Sequence, residues 1–161
     1  MLRFFLRKHN RIERAALVTL RLALVSDIPK IMSLQQQAES AAQWTAREYE
    51  RMLNEKSGVV LVAEMGDKVC GFVAGAGIGA EWELENIVIE SSARRKGTGR
   101  RLVQSFLDHA KHEGGTRVFL QVREDNSAAR GLYECAEFRV NGRRPGYYGS
   151  TDAVLYVCDL T

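Results

Sequence analysis

The run from Leu84 to Ala110 constrains this chain more than any other stretch. Leu84-Glu85-Asn86-Ile87-Val88-Ile89 has strand character, and Leu102, Val103, Phe106, Leu107 and Ala110 fall on one face at helical spacing. Between them stand Arg94, Arg95, Lys96, Gly97, Thr98 and Gly99, with Arg100 just beyond. A basic, glycine-bearing turn leading into a helix aims several backbone N–H groups into one small volume, and the helix adds the positive end of its dipole. Chemically this is a cradle for a phosphate or pyrophosphate. Glycine at 97 and 99 lets such a ligand approach the backbone without meeting a Cβ. A solvated basic turn is the plainer reading; the flanking strand and amphipathic helix favour the cradle.

Two other phosphate-binding patterns are set aside. No G-x-x-x-x-G-K-[ST] occurs. Gly75-Ala76-Gly77-Ile78-Gly79-Ala80 does satisfy G-x-G-x-x-G/A, but strand-like sequence comes after it (Glu81 to Ile89) where a dinucleotide fold requires a helix. It reads as a glycine-rich strand end or turn.

The rest of the chain supplies alternating strand and helix patterns. Val18 to Leu24 alternates in β fashion. Ser26-Asp27 offers an N-cap with Pro29 in the first turn of a helix running to about Glu39. Thr45 and Glu48 form a capping-box pattern for a second helix that fades by Asn54. Strands follow at Val59–Ala63 and Val69–Ala74, around a Gly66-Asp67 turn, and at Glu81–Ile89. The helix from Gly99 stops at Gly114-Gly115. Val118–Val122 is a short buried strand, Asn126 caps a helix to about Ala136, and Phe138–Val140 and Ala153–Cys158 close the chain. This order, βααβββαβαββ, predicts an α/β fold: a mixed sheet with helices on both faces.

A length of 161 residues fits one domain, 17–161, behind a basic extension, 1–16. The first 14 residues carry +4 against a net charge of +3 for the whole chain, so the body is −1 and is not a nucleic-acid-binding surface by charge. Leu2, Phe4, Phe5 and Leu6 alternate with basic residues in this arm. A short amphipathic helix on an acidic surface, a plain tail and a misassigned start all fit it. No apolar run reaches the ~20 residues of a membrane span. Cys70, Cys135 and Cys158 are an odd number without C-x-x-C spacing, which favours a reducing, cytoplasmic setting and argues against a disulfide framework or zinc. All three read as small buried hydrophobes. His109 and His112 lie on the exposed side of their helix without metal-ligand company.

R-x-x-G-x-G between a strand and a helix resembles the acyl-CoA motif of the GNAT acetyltransferase superfamily. Asn126-Ser127-Ala128-Ala129-Arg130-Gly131-Leu132-Tyr133-Glu134 resembles that family's N-x-x-A-x-x-L-Y-E segment, at the right distance from the cradle. The resemblance covers roughly residues 18 to 160 and is nearest the RimI branch, which acetylates protein N-termini. It implies the GNAT fold, a mostly antiparallel sheet of about seven strands, and acetyl-CoA as co-substrate with no metal. It further implies that residues 94–100 hold the pyrophosphate, that Ile87, Val88 and Ile89 pair with pantetheine along a strand edge, and that Asn126 contacts pantetheine. Tyr133 would protonate the departing thiolate. Arg143-Arg144-Pro145-Gly146-Tyr147-Tyr148 resembles the segment whose tyrosines line the acceptor groove, which makes Tyr147 and Tyr148 acceptor-side residues. Trp44 either lines that groove or anchors the core.

The base is left open by the resemblance. RimI-type enzymes carry a glutamate where this chain has Gln121, within Leu120-Gln121-Val122-Arg123, and an amide cannot take a proton at neutral pH. Glu83 and Glu85, two residues apart on one strand, face the same side of the sheet and are the substitutes; assisted deprotonation through water is the alternative. Glu137 stands where the family has glycine, at a helix stop. The implied activity is acetylation of a protein's N-terminal α-amino group by direct attack in a ternary complex. A small-molecule amine or lysine side chain as acceptor, or an acyl-CoA-binding module with little turnover, are the other readings. Monomer and homodimer are both compatible with the sequence.

Overall fold

Alternation in the strands and 3.6-residue periodicity in the helices translate into one sheet covered on both sides. The computed structural model describes residues 17–161; the reading of the basic arm falls on residues 1–16 and lies outside the described residues. The elements are β1 (Val18–Leu22), α1 (Ile28–Gln37), α2 (Ala46–Asn54), β2 (Gly58–Met65), β3 (Lys68–Ile78), β4 (Glu81–Ile89), α3 (Thr98–His112), β5 (Arg117–Arg123), α4 (Ser127–Cys135), β6 (Arg139–Arg144) and β7 (Ala153–Asp159). The sheet order is β1-β2-β3-β4-β5-β7-β6. Every neighbouring pair is antiparallel except β4 and β5.

Each face has its own core. On one, Leu102, Val103, Phe106, Leu107 and Ala110 of α3 meet Val59, Leu61, Val73, Trp82 and Leu84, and Tyr133 of α4 meets Leu120, Val154 and Tyr156. On the other, Ile28, Ile31 and Leu34 of α1 and Tyr49 and Met52 of α2 cover Val60, Val62, Phe72 and Val88. Each large apolar side chain so buried contributes roughly 1.5–3 kcal/mol.

Several local expectations are revised. Asp27 does not cap α1 with its side chain. Its carboxylate accepts from the Leu24 N–H at 2.7 Å and from Arg21, whose guanidinium also reaches Glu64 at 2.7 Å. The Thr45–Glu48 capping box does form. β3 runs on through Gly75 and Gly77 to Ile78, because only glycine fits there. A Cβ at 75 would lie 2.6 Å from the Phe106 ring, and one at 77 would lie 2.6 Å from the Trp82 indole nitrogen. β6 extends to Arg144. Cys70 and Cys158 are buried, but Cys135 is exposed. His109 packs edge-on to Trp82, with ring centroids 5.6 Å apart, and its burial pulls the imidazole below its ordinary value. Glu137 takes a left-handed φ of +66°, the conformation that favours glycine at this helix stop.

Two irregularities of β4 open the sheet beside it. Ala74 pairs with Asn86 and Gly75 with Leu84, so Glu85 is the extra residue of a β-bulge. The buried side chains Trp82, Leu84, Asn86 and Val88 keep their alternation, yet the bulge transfers them from one core to the other: Trp82 and Leu84 pack under α3, Val88 under α1 and α2. Second, β4 and β5 pair only at Glu81–Arg117, Trp82–Val118 and Glu83–Phe119. Beyond Glu83 the strands part, and that edge of β4 has no partner strand among the described residues.

Candidate active site

The parting of β4 and β5 opens a cleft of about 460 Å³. Ala41, Ala42 and Trp44 wall it from the α1–α2 side. Glu83, Glu85 and Ile87 of β4 and Gln121 and Arg123 of β5 flank it, while Asn126, Ala129 and Tyr133 enter from α4. Tyr147 and Tyr148 complete it. A second groove of about 610 Å³ shares Glu39, Ser40, Arg123 and Asn126 with the first and extends past Gln37 and Asp125 to Arg94. One continuous channel therefore leads from the basic turn through the gap in the sheet to the loop tyrosines.

Within the cleft the titratable groups differ in environment. Tyr133 is 5% exposed and packs against Phe138 and Tyr156, with centroids 5.8 and 6.3 Å away. Burial, reinforced by nearby Tyr148, raises its phenol well above the ordinary value, so it stays protonated at neutral pH. Glu85 is exposed as a residue, yet partial desolvation at the cleft wall raises its carboxyl, and the neighbouring Glu83 carboxylate adds to the shift. Both glutamates line the cleft. Gln121 lines the same cleft and is bound to neither.

At the cradle, Gly97 is the N-cap of α3 with φ +76° and no side-chain cap, so the first-turn N–H groups are free of local competition. Among the described residues nothing lies within 4 Å of a Cβ at 97. Gly99 has another reason to be glycine: a Cβ there would meet Leu132 at 3.2 Å and Ile89 at 3.3 Å, so its smallness serves packing against α4. The Thr98 hydroxyl is buried without a hydrogen-bond partner among the described residues. An orphaned hydroxyl beside uncapped N–H groups fits an oxygen-rich anion such as the pyrophosphate of CoA. Arg94, Arg95 and Lys96 are exposed around it, and Arg94 Nε donates to the Ile89 carbonyl at 3.0 Å. Arg100, in the first turn of α3, borders a pocket with Cys135, Asp159 and Thr161. The Val88 side chain is buried under α1 and α2, so only its backbone is available.

Asn126 caps α4, accepting from the Ala129 N–H at 3.1 Å. The β6–β7 loop is closed on itself by Asp152, which accepts from the Gly146 N–H at 2.8 Å, and Arg143 at its start forms an ion pair with Glu124 after β5. Arg123 stacks over Tyr148 and Arg144 over Tyr147, each 5.4 Å from the ring centroid. Sequence reading missed the bulge, the orphaned Thr98 hydroxyl and the wall at Ala41–Ala42. One signal was available: Asn86 interrupts an otherwise apolar inward series.

The fold and the channel define an acyl-CoA-dependent transferase, and comparison places it more closely. The model of the acetyltransferase (GNAT) family matches residues 28–138, and the chain belongs to that family. Such enzymes pass the acetyl group of acetyl-CoA to an amine. The chain is 30% identical over 152 residues to the [ribosomal protein bS18]-alanine N-acetyltransferase of Salmonella typhimurium, covering 89% of this chain and 98% of that one. An uncharacterized protein of Mycobacterium leprae is 31% identical over 118 residues, 71% of this chain and 32% of that longer one. The crystal structure of the ribosomal-protein-S18-alanine N-acetyltransferase from Escherichia coli superposes with a TM-score of 0.80 at 23% identity, over 90% and 95% of the two chains. Among the described residues no helix is long and apolar enough to cross a membrane.

Proposed function

We propose that this chain acetylates the N-terminal α-amino group of a protein, with acetyl-CoA and acceptor bound together and no covalent enzyme intermediate. The observation that carries the reading is the cleft itself: the buried phenol of Tyr133 and the solvent-accessible carboxylate of Glu85 line the same gap in the sheet, between the basic cradle and a tyrosine-lined loop. The similarity, over 89% of this chain, to a [ribosomal protein bS18]-alanine N-acetyltransferase supports the acceptor class.

Bound acetyl-CoA supplies a thioester activated toward amines. The cradle at 94–99 holds its pyrophosphate, the free edge of β4 at Ile87–Ile89 pairs with the pantetheine arm, and Asn126 contacts the same arm from α4. The amine nitrogen forms the new C–N bond as the C–S bond breaks. Glu85, assisted by Glu83, accepts the amine proton, and Tyr133 donates its proton to the departing sulfur. A raised carboxylate is a stronger base than a solvated one, and an α-amino group, near pKa 8, releases its proton more readily than lysine, near 10.4. Tyr147 and Tyr148 hold the acceptor chain.

CoA release tests this with peptides bearing a free N-terminus, the same peptides blocked at the N-terminus but containing lysine, and small amines. Turnover is expected on free N-termini alone, with Tyr133→Phe lowering kcat by ~10²-fold or more. The acid limb of kcat is expected above the ordinary carboxylate range and is lost in Glu85→Gln. Turnover on blocked lysine peptides, or on small amines only, refutes the acceptor assignment. Full activity of Tyr133→Phe refutes its role as the acid.

A further inference from the structure

We infer that Gln35, Tyr49 and Asn86 form a buried clamp that positions the acceptor wall of the cleft against the bulge of β4. The inference rests on the reading of that wall as the acceptor side. All three polar residues are almost fully buried, at 2%, 0% and 4% exposure. The Tyr49 hydroxyl donates to Gln35 Oε1 at 2.7 Å, and Asn86 Nδ2 donates to the Tyr49 hydroxyl at 3.3 Å. The free ends of this chain of bonds hold backbone of the α1–α2 loop: Asn86 Nδ2 also donates to the Ala42 carbonyl at 3.0 Å, Gln35 Nε2 donates to the Trp44 carbonyl at 2.5 Å, and the Trp44 N–H donates to Gln35 Oε1 at 3.3 Å.

Position argues that the clamp does more than fill space. Tyr49 already sits in an aromatic cluster, 5.4 Å from Trp44 and 5.9 Å from Phe72 by ring centroids, which a phenylalanine would complete equally well. Burial pushes its phenol up to about 12, so it remains a neutral donor at any working pH. Buried polar groups are costly unless fully paired, and apolar side chains of the same volume often serve stability as well or better. What the polar trio adds is geometric: it ties loop backbone to one point of β4. That point is Asn86, directly after the bulged Glu85, and the loop atoms held are those of Ala42 and Trp44, which face Glu83 and Glu85 across the cleft. The cradle on α3 belongs to the opposite core and does not touch the clamp. Gln35, Tyr49 and Asn86 are thus positioning residues for acceptor geometry, separable from cofactor binding.

Tyr49→Phe removes one oxygen and keeps the ring. With whichever amine acceptor the wild type turns over, its KM is expected to rise about tenfold while acetyl-CoA affinity stays within about twofold, the scale of one buried hydrogen bond. Asn86→Leu should raise the same KM, and the double variant should fall short of the product of the two effects, because the pair acts as a unit. Hydrogen exchange gives a readout that needs no acceptor: the Trp44 amide, bonded directly to Gln35, should exchange about tenfold faster in Tyr49→Phe. Unchanged protection at Trp44 overturns the clamp. So does a lowered melting temperature with unchanged acceptor KM, or a parallel loss of acetyl-CoA affinity. If the preferred acceptor is not a protein N-terminus but the KM and exchange effects appear, the clamp stands and the acceptor assignment alone falls.

Discussion

Gly75→Ala tests whether the glycine-rich end of β3 is dictated by packing against β4. Added to the existing backbone, the new methyl carbon would lie 2.6 Å from two atoms of the Phe106 ring and closer still to the Glu83 carbonyl oxygen. Ordinary van der Waals separation is roughly 3.5–4 Å, so the neighbours must give way by about 1 Å. Phe106 is fully buried and the carbonyl belongs to β4, so neither can swing aside cheaply. Overpacking of this kind costs ~1–3 kcal/mol, and contact with backbone places this case near the upper end. At 2–4 °C per kcal/mol for a chain of this size, the melting temperature should fall by about 6–12 °C. Thermal unfolding followed by circular dichroism measures it. Gly131→Ala is the matched comparison: nothing lies within 4 Å of its Cβ and it sits inside α4, so the same chemical change should stabilise by ~0.4–1 kcal/mol. Because Gly75 pairs with Leu84 beside the bulge, kcat/KM of the Gly75 variant should fall even well below its melting temperature. A Gly75→Ala protein melting within about 2 °C of wild type would refute the packing argument.

Two further outcomes are expected. Thr98→Val replaces an orphaned buried hydroxyl with a methyl of similar volume, so the free protein should gain about 1 kcal/mol of stability while acetyl-CoA binding by calorimetry weakens; unchanged affinity would remove Thr98 from the cradle. For Asp27, the Arg21 guanidinium, followed by the Leu24 N–H, holds the carboxyl below its ordinary value against the opposing cost of burial. Its stabilisation is therefore present above about pH 4 and is lost as pH falls through the depressed folded value. Asp27→Asn should cost ~1–2 kcal/mol at pH 7, discounted for a partly exposed partner, and the difference from wild type in urea unfolding should narrow toward pH 2.

Local chemistry made much of this molecule legible in advance. The exposed basic turn is written in contiguous residues, Arg94 to Gly99, and α3 in a five-residue apolar stripe; both depend on neighbours in sequence. What could not be read depends on partners distant in the chain. Gly75 and Gly77 satisfied a nucleotide-binding pattern while their actual constraint came from Phe106 and Trp82. The bulge at Glu85 left the alternation of buried residues intact while changing which core they enter, so period two alone could not reveal it. Asp27 looked like a helix cap because Arg21 and Glu64 were not visible as its companions. Arg100 continues the motif's charge into α3, where it borders a pocket with Cys135 and Asp159 that no neighbour in sequence announces.

The short parallel joint between β4 and β5 also bears on how the chain folds. β1 to β4 and β5 to β7 are blocks whose members are close in sequence, apart from the reach of β1 over two helices to β2. The joint must bring Glu83 to Phe119 across the whole of α3 for only three paired residues. Loop closure of that kind is entropically dearer than hairpin formation and slows folding. The line along which β4 and β5 meet and then part is therefore a seam between two blocks of the sheet. Substitutions along it, at Trp82 or Val118, should slow the refolding rate more than those in the β2–β3 hairpin.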